Sequence, residues 1–379
     1  MPDLYREIIE ELERRGVAYV RDFAPFYISS LATHQLNLVN QRKQFYVEAG
    51  SPINLRQHIL FVTIPGFGKS FLLRQFLDNE AYSIVKGTDV QCSFESYMTE
   101  AGMVGSVGKD QQGNIHKTSG LLETDSNSII GIEEFSAITN AVQQQHNVGL
   151  DAALLTALDS GMVRKRLANG KIEYQTNLSM WAGVQPARFN LSSGLGRRFL
   201  FIYYVPTLAD VREFRKRRRE LKTKKLNIPV LNEIRKLLNQ RFTEMNDNVT
   251  GISFTADFYG FMDALNVIHY EEVIYERLAL GYWLMKSEHL TGTIYVGLDD
   301  ELKRILKLQH RHRKNVKQGT QLNQVWVLIK EMKRINEKKL LELLLDFSLD
   351  WDTSRDMIRT LVMHKNIHYE GEDIVVGKA

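Results

Sequence analysis

Gly66, Gly68, Lys69 and Ser70 fall within five residues in the stretch Ile59-Leu-Phe-Val-Thr-Ile-Pro-Gly-Phe-Gly-Lys-Ser-Phe-Leu-Leu-Arg74. Their types suit the holding of a phosphorylated anion. Two glycines let the backbone curl into a nest of amide N–H groups, Lys69 brings a mobile positive charge, and Ser70 a hydroxyl able to ligate Mg²⁺. The apolar run before them predicts a buried strand, and Phe71-Leu-Leu73 predicts a helix opening near Lys69, whose positive dipole end faces the same anion. Pro65, Gly66, Phe67, Gly68, Lys69, Ser70 and Phe71 are therefore the expected binding loop for ATP with Mg²⁺. The plain alternative is a glycine turn joining strand to helix.

The full phosphate-loop pattern places a glycine where this chain has Thr63, which is a departure. A second apolar run, Ile129-Ile-Gly-Ile132, ends in Glu133 and Glu134, 65 residues after Gly68. Beside a phosphate loop such a pair divides its work. The first carboxylate holds hydrated Mg²⁺, and the second orients or deprotonates the attacking water. A further apolar strand, Leu178 to Val184, ends at Gln185.

These strands and helices predict an α/β protein. Its 379 residues allow two or three domains. With 44% hydrophobic and 25% charged residues the balance is that of an ordinary globular chain. Cys92 is the single cysteine, so an internal disulfide and a cysteine-based zinc site are both excluded. No apolar run reaches the ~18 residues of a membrane helix and the start lacks a signal-peptide core, so the expectation is a cytoplasmic protein with no membrane partner. The net charge of +4 decides little, but its distribution is uneven.

Asn169-Gly170 is a hairpin signal, and the arms around it carry Arg164, Lys165, Arg166 and Lys171. Nine Lys or Arg occupy the fourteen residues from Arg212 to Lys225, either a solvated helix face or a nonspecific phosphate contact. Lys303 to Lys317 is a second basic segment, read as a linker or helix end because apolar periodicity fades after Leu308 and Gly319 follows.

From Ala101-Gly-Met-Val104, through a turn-rich insertion at Gly105 to Thr118 and Gly120-Leu-Leu122, to Glu133-Glu-Phe135, the order of motifs resembles the AAA+ module of the minichromosome maintenance (MCM) helicases. The family's Pro-Gly-x-Ala-Lys-Ser stands here as Pro65-Gly-Phe-Gly-Lys-Ser70, and its Asp-Glu-Phe has Glu133 for Asp, a longer arm. The resemblance implies roles for further residues. Gln185 takes the sensor-1 position, orienting the attacking water. Arg198, with Arg197 its close competitor, matches the arginine that reaches a neighbouring subunit's γ-phosphate. Arg277 falls where the family has its sensor-2 arginine, a surface ion pair being the alternative. The hairpin of Arg164, Lys165, Arg166 and Lys171 corresponds to one that touches DNA in a central channel, against the plain reading of an exposed hairpin. An arginine acting in trans implies a homo-oligomer, by resemblance a hexameric ring.

The expected architecture is thus an AAA+ P-loop core with parallel sheet, a helical lid and a C-terminal winged helix-turn-helix, without the family's N-terminal tier. The boundaries run 1–50 for a helical segment, 51–208 for the α/β core, 209–300 for the basic helix and lid, 301–319 for a basic linker and 320–379 for the winged helix. Residues 1–50 are expected to include two amphipathic helices. In the tail, Arg355 and Arg359 lie one turn apart on the third helix, where a DNA-reading helix carries such residues. Acids around them leave a protein-binding role equally open. Three functions follow: a replicative DNA motor working with other replication proteins of a virus, plasmid or integrated element, an initiator or loader of the origin-recognition kind, or an AAA+ scaffold that hydrolyses poorly.

Overall fold

The computed structural model describes residues 3–64, 66–95, 99–109, 112, 114–135, 148–167, 170–185, 196–204, 206–221, 226–317, 320–346, 351–363 and 365–377. Pro65 and Asn169 lie outside them. At the centre is a parallel sheet of five strands, β1 (His58–Val62), β2 (Cys92–Glu95), β5 (Ile129–Ile132), β8 (Ser179–Val184) and β9 (Phe199–Tyr203), in the spatial order β9-β1-β8-β5-β2. This is a Rossmann-like α/β core. Its strands read as unbroken apolar runs because both faces are covered. Ile59 and Phe61 pack into one cluster while Leu60 and Val62 pack into another on the opposite face.

The first of these clusters is built on α1 (Leu4–Arg14), α2 (Val20–Lys43), α3 (Lys69–Leu77), α8 (Ile228–Asn248) and α10 (His269–Lys286). The amphipathic pattern expected of the second N-terminal helix is not what α2 shows. It is buried almost all round, and several of its polar side chains find partners in the polypeptide at the starts of the strands. Ser30 Oγ donates to Gln57 O at 2.8 Å and accepts from Trp181 Nε1 at 2.7 Å. His34 joins Ser179 Oγ and Asn127 O at 3.0 and 3.1 Å, and Asn37 Oδ1 accepts from Leu55 N at 2.9 Å. Residues 1–50 therefore share the core of the α/β unit, and no core boundary falls at residue 50.

The opposite face is covered by α4 (Glu100–Val104), α5 (Leu121–Thr124) and α6 (Val148–Leu158). Between α4 and α5 the expected insertion is a hairpin, β3 (Gly105–Lys109) with β4 (Ile115–Ser119). A second hairpin, β6 (Met162–Leu167) with β7 (Gly170–Gln175), stands beside it, where Tyr174 donates to Val104 O at 3.0 Å.

Beyond the sheet come α7 (Leu208–Leu221), α8, and α9 (Ala256–Ala264) with α10, joined by a parallel pair, β10 (Val249–Phe254) and β11 (Gly292–Val296). The linker expected over 301–319 is corrected by the structure: Asp300–Lys317 is one continuous helix, α11. It lies along β9 because its polar residues find buried partners. His312 Nδ1 meets Tyr203 O at 2.8 Å, and Arg313 donates to Phe199 O at 2.9 Å while pairing with buried Glu271 at 2.9 Å.

The C-terminal unit runs α12 (Thr320–Met332), β12 (Arg334–Asn336), α13 (Glu337–Asp346), α14 (Trp351–Met363), β13 (Ile367–Glu370) and β14 (Asp373–Val376), with an antiparallel sheet ordered β12-β14-β13. Strand β12 adds to the helices and hairpin expected there. Asn336 accepts from Lys338 N at 3.1 Å, at the start of α13. Its core forms one cluster with Ile64 and Phe67. Among the described residues no helix is long and apolar enough to cross a membrane.

Candidate functional site

The loop after β1 turns through Gly66 (φ 74°) and Gly68 (φ 86°), conformations that glycine adopts without steric cost. Thr63, where the phosphate-loop pattern has glycine, is not among the residues with positive φ. Its backbone does not need glycine's freedom, which explains why the departure is tolerated. Lys69 opens α3 and is buried. Its ammonium donates to Thr63 O at 2.9 Å.

Strand β8 separates β1 from β5, and Gly183 on it makes the approach possible. A Cβ there would lie 2.8 Å from Glu133 O and 3.5 Å from Lys69 Cδ. The lysine thus slides over β8 toward the acids at the end of β5. Burial lowers its pKa to about 8, and attraction to Glu134 partly opposes that fall. Glu134 Oε2 accepts from Gln185 Nε2 at 3.3 Å, and Oε1 is buried without a hydrogen-bond partner. An orphaned carboxylate oxygen beside a lysine and an amide is suited to take a water molecule. The structure brings Lys69, Glu134 and Gln185 together as the sequence suggested.

Glu133 is placed differently. Its carboxylate accepts from Arg74 Nη2 at 2.7 Å and from Nε at 3.1 Å, across from α3. The extra methylene relative to aspartate supplies the reach. As it stands Glu133 is committed to Arg74, a residue that no sequence motif singles out, and a role toward metal requires that pair to open. Among the described residues no group of three or more His, Cys, Asp or Glu could hold a metal ion. Ser70 and Glu133 fit Mg²⁺ only as partners of a cation that arrives with nucleotide phosphates.

A cleft of about 520 Å³ runs out from Gly66, Gly68, Lys69, Ser70 and Phe71. That volume is in the range of small-molecule sites. Its far walls are the α1–α2 turn at Gly16 and Ala18, and Phe214, Arg217 and Arg218 of α7. Phe67 does not line the cleft: it is buried, its ring stacking on Phe214 at 4.8 Å and on Tyr204 at 5.2 Å. None of these walls was expected from sequence. The clue was there in Phe214, an aromatic set among cations.

Arg198 precedes β9, which pairs Phe199 with His58 at the start of β1. Five residues of strand at ~3.3 Å each put it about 17 Å from the Gly66–Ser70 loop. Arg198 pairs with Asp159 at 2.8 Å, and its side chain is 10% exposed, whereas Arg197 is exposed. Arg277 lies at the same end of the sheet, partly buried, donating to Arg56 O at 3.0 Å. Burial lowers its pKa to about 10, and Asp159 partly opposes this. It lies away from the Gly66–Ser70 loop, on the part of α10 that packs against α2. Arg56, also missed, donates to Thr176 O, Leu178 O and Asp159 O, fastening the feet of the second hairpin to β1.

That hairpin splits its four cations. Lys165 pairs across with Ile172, on the face of buried Val163, while Arg164, Arg166, Lys171 and Glu173 share the exposed face. Glu173 takes both Arg164, at 2.8 Å, and Lys171. On α14, Arg355 and Arg359 are exposed as expected, the first over Trp351 at 5.7 Å and the second paired with Asp356 at 3.1 Å.

No protein-family model matches this chain, and a search of curated proteins finds no match.

The low pKa of Lys69 has a measurable result. The charged form that attracts phosphates is lost as pH rises through about 8, and a bound phosphate favours regaining that proton. ATP affinity is expected to weaken above about pH 8 by up to about tenfold per pH unit, and Lys69→Arg to flatten the profile. Titration of a fluorescent ATP analogue from about pH 6.5 to 9.5 checks this. A flat wild-type curve contradicts it.

Proposed function

We propose that this chain binds and hydrolyses ATP with Mg²⁺ and works on DNA as an oligomeric motor of the MCM-like AAA+ kind, a helicase or translocase in replication. The observation that carries the reading is the meeting of Lys69, Glu134 and Gln185 around a buried, unpartnered carboxylate oxygen. Lys69 neutralises terminal phosphates. Glu134 accepts a proton from, or orients, the attacking water, and Gln185 holds that carboxylate in place. Mg²⁺ would neutralise charge developing on the phosphoryl oxygens. The strand order supports the same reading, since the strand that ends at Gln185 lies between the one leading to Gly66–Ser70 and the one ending at Glu133, so all three come out at one end of the sheet. The helix-strand-helix-helix-strand-strand tail resembles a winged helix, and a hairpin in the insertion argues against the initiator or loader.

A second reading rests on Arg74. With Glu133 tied to it, the protein could be an ATP-binding scaffold that turns over slowly. ATPase activity measured with and without single-stranded DNA, beside strand displacement, separates the two. DNA-stimulated turnover with displacement supports the motor, and tight ATP binding with neither supports the scaffold.

The hairpin makes a distinct prediction. Arg166→Ala with Lys171→Ala removes two cations of the exposed face, whereas Lys165→Ala touches the other face. The double variant should weaken binding to single-stranded DNA of any sequence and reduce the salt slope by ~0.7 for each phosphate no longer neutralised, with Lys165→Ala near wild type. Arg355→Ala with Arg359→Ala is the competing arm. It is preferable to deleting the tail, whose core shares a cluster with Ile64 and Phe67. If the tail pair loses affinity and salt slope while the hairpin pair keeps both, DNA is held by the C-terminal unit instead.

A further inference from the structure

The basic helix α7 reads as a solvated cationic face, yet one side of it closes the nucleotide cleft. Its start is fixed by Asp210, whose carboxylate accepts from Tyr19 Oη at 2.7 Å and from Thr207 N and Oγ1, each at 2.8 Å. One turn on, Phe214 stacks on Phe67, and its ring comes within 3.3 Å of where a Gly68 Cβ would stand. With Phe214 held there, residues three and four further along share its side of the helix. Those are Arg217 and Arg218, and both line the cleft.

We propose that Arg217 and Arg218 are nucleotide-binding residues that contact the phosphates common to ATP and ADP. The inference rests on the nucleotide-binding reading above and deepens it. Charge supports it: Lys69 is offset by Glu134, and Arg74 by Glu133, so the loop region alone has little net positive charge to meet a polyanion. Position supports the assignment to the inner phosphates. Glu133, Glu134 and Gln185, which mark the hydrolytic end, are not among the walls of the cleft that α7 closes. Arg217 now pairs with Glu213 at 2.8 Å, both half-exposed. A phosphate offers a more highly charged partner, so the nucleotide displaces Glu213.

The test measures dissociation constants of fluorescent ATP and ADP analogues for the full chain. Arg217→Ala with Arg218→Ala should weaken both by about tenfold or more, raising KM for ATP while kcat at saturation holds. Arg215→Ala with Lys216→Ala removes the same charge from exposed positions outside the cleft and should leave both affinities within about twofold. Glu213→Gln, which releases Arg217, should tighten both. Loss confined to ATP would overturn the inference by directing these arginines to the γ-phosphate. Equal affinity in wild type and the Arg217/Arg218 variant would overturn it in favour of a solvated face, while Lys69→Ala still abolishing binding would leave the broader reading intact. Wild-type protein that binds neither nucleotide would sink both.

Discussion

Glu134→Gln is expected to hold ATP and to hydrolyse it about 10²–10⁴-fold more slowly, the usual contribution of a positioned general base. The substitution keeps the size of the side chain and a carbonyl oxygen able to accept from Gln185 Nε2, now at 3.3 Å from the carboxylate. What it removes is the charge and the basicity of Oε1, the buried oxygen that has no partner in the protein. A complication must be handled in the measurement. Attraction to Glu134 helps keep Lys69 charged, and without it the lysine pKa falls below its present value of about 8. Binding by the variant should therefore be compared at about pH 6.5, where Lys69 remains protonated. Glu133→Gln should have a smaller effect on turnover at saturating Mg²⁺, because that carboxylate is already neutralised by Arg74. Phosphate release and equilibrium binding together decide the matter. Lost binding with the fold intact would make Glu134 structural, and turnover within about twofold of wild type would remove it from the chemistry.

The parts of this site that sequence revealed are those set by local geometry. A glycine-flanked lysine between an apolar strand and a helix needs no tertiary information, and acids or an amide at strand ends are already oriented by the period of the strand. The parts it concealed depend on what the chain meets in space. Residues 1–50 are expected to hold an amphipathic second helix, yet Ser30, His34 and Asn37 on it are buried, with backbone partners at the starts of the strands. His312 and Arg313 read as linker for the same reason, and carbonyls along β9 draw them inside. At Arg277 the resemblance offers a sensor-2 arginine and the plain alternative a surface ion pair, whereas its guanidinium donates to the backbone carbonyl of Arg56. Conversely, Arg217 and Arg218 were hidden within a run of similar cations. Only the docking of Phe214 picks out which of them face the cleft.

Two variants inactive alone, Lys69→Ala and Arg198→Ala, are expected to regain activity when mixed. The first removes the charge that holds phosphates but leaves Arg198 in place. The second keeps its phosphate loop but lacks the arginine, whose loss in trans-acting systems costs about 10³–10⁵ in turnover. Arg198 lies a full strand length from its own loop, so any phosphate it reaches belongs to another copy. In a head-to-tail assembly, a site made of an Arg198→Ala loop and a Lys69→Ala arginine is complete. Random mixing of equal amounts makes about one quarter of sites complete, and phosphate release should recover toward that fraction. The competing explanation is that Arg198 serves only to pair with Asp159, at 2.8 Å. Asp159→Asn distinguishes them. If the pair is what matters, this variant should be as inactive as Arg198→Ala. If the arginine acts on a neighbour, freeing it should leave turnover near wild type or raise it. A mixture that stays inactive although both variants assemble would remove Arg198 from the shared site and shift the test to exposed Arg197.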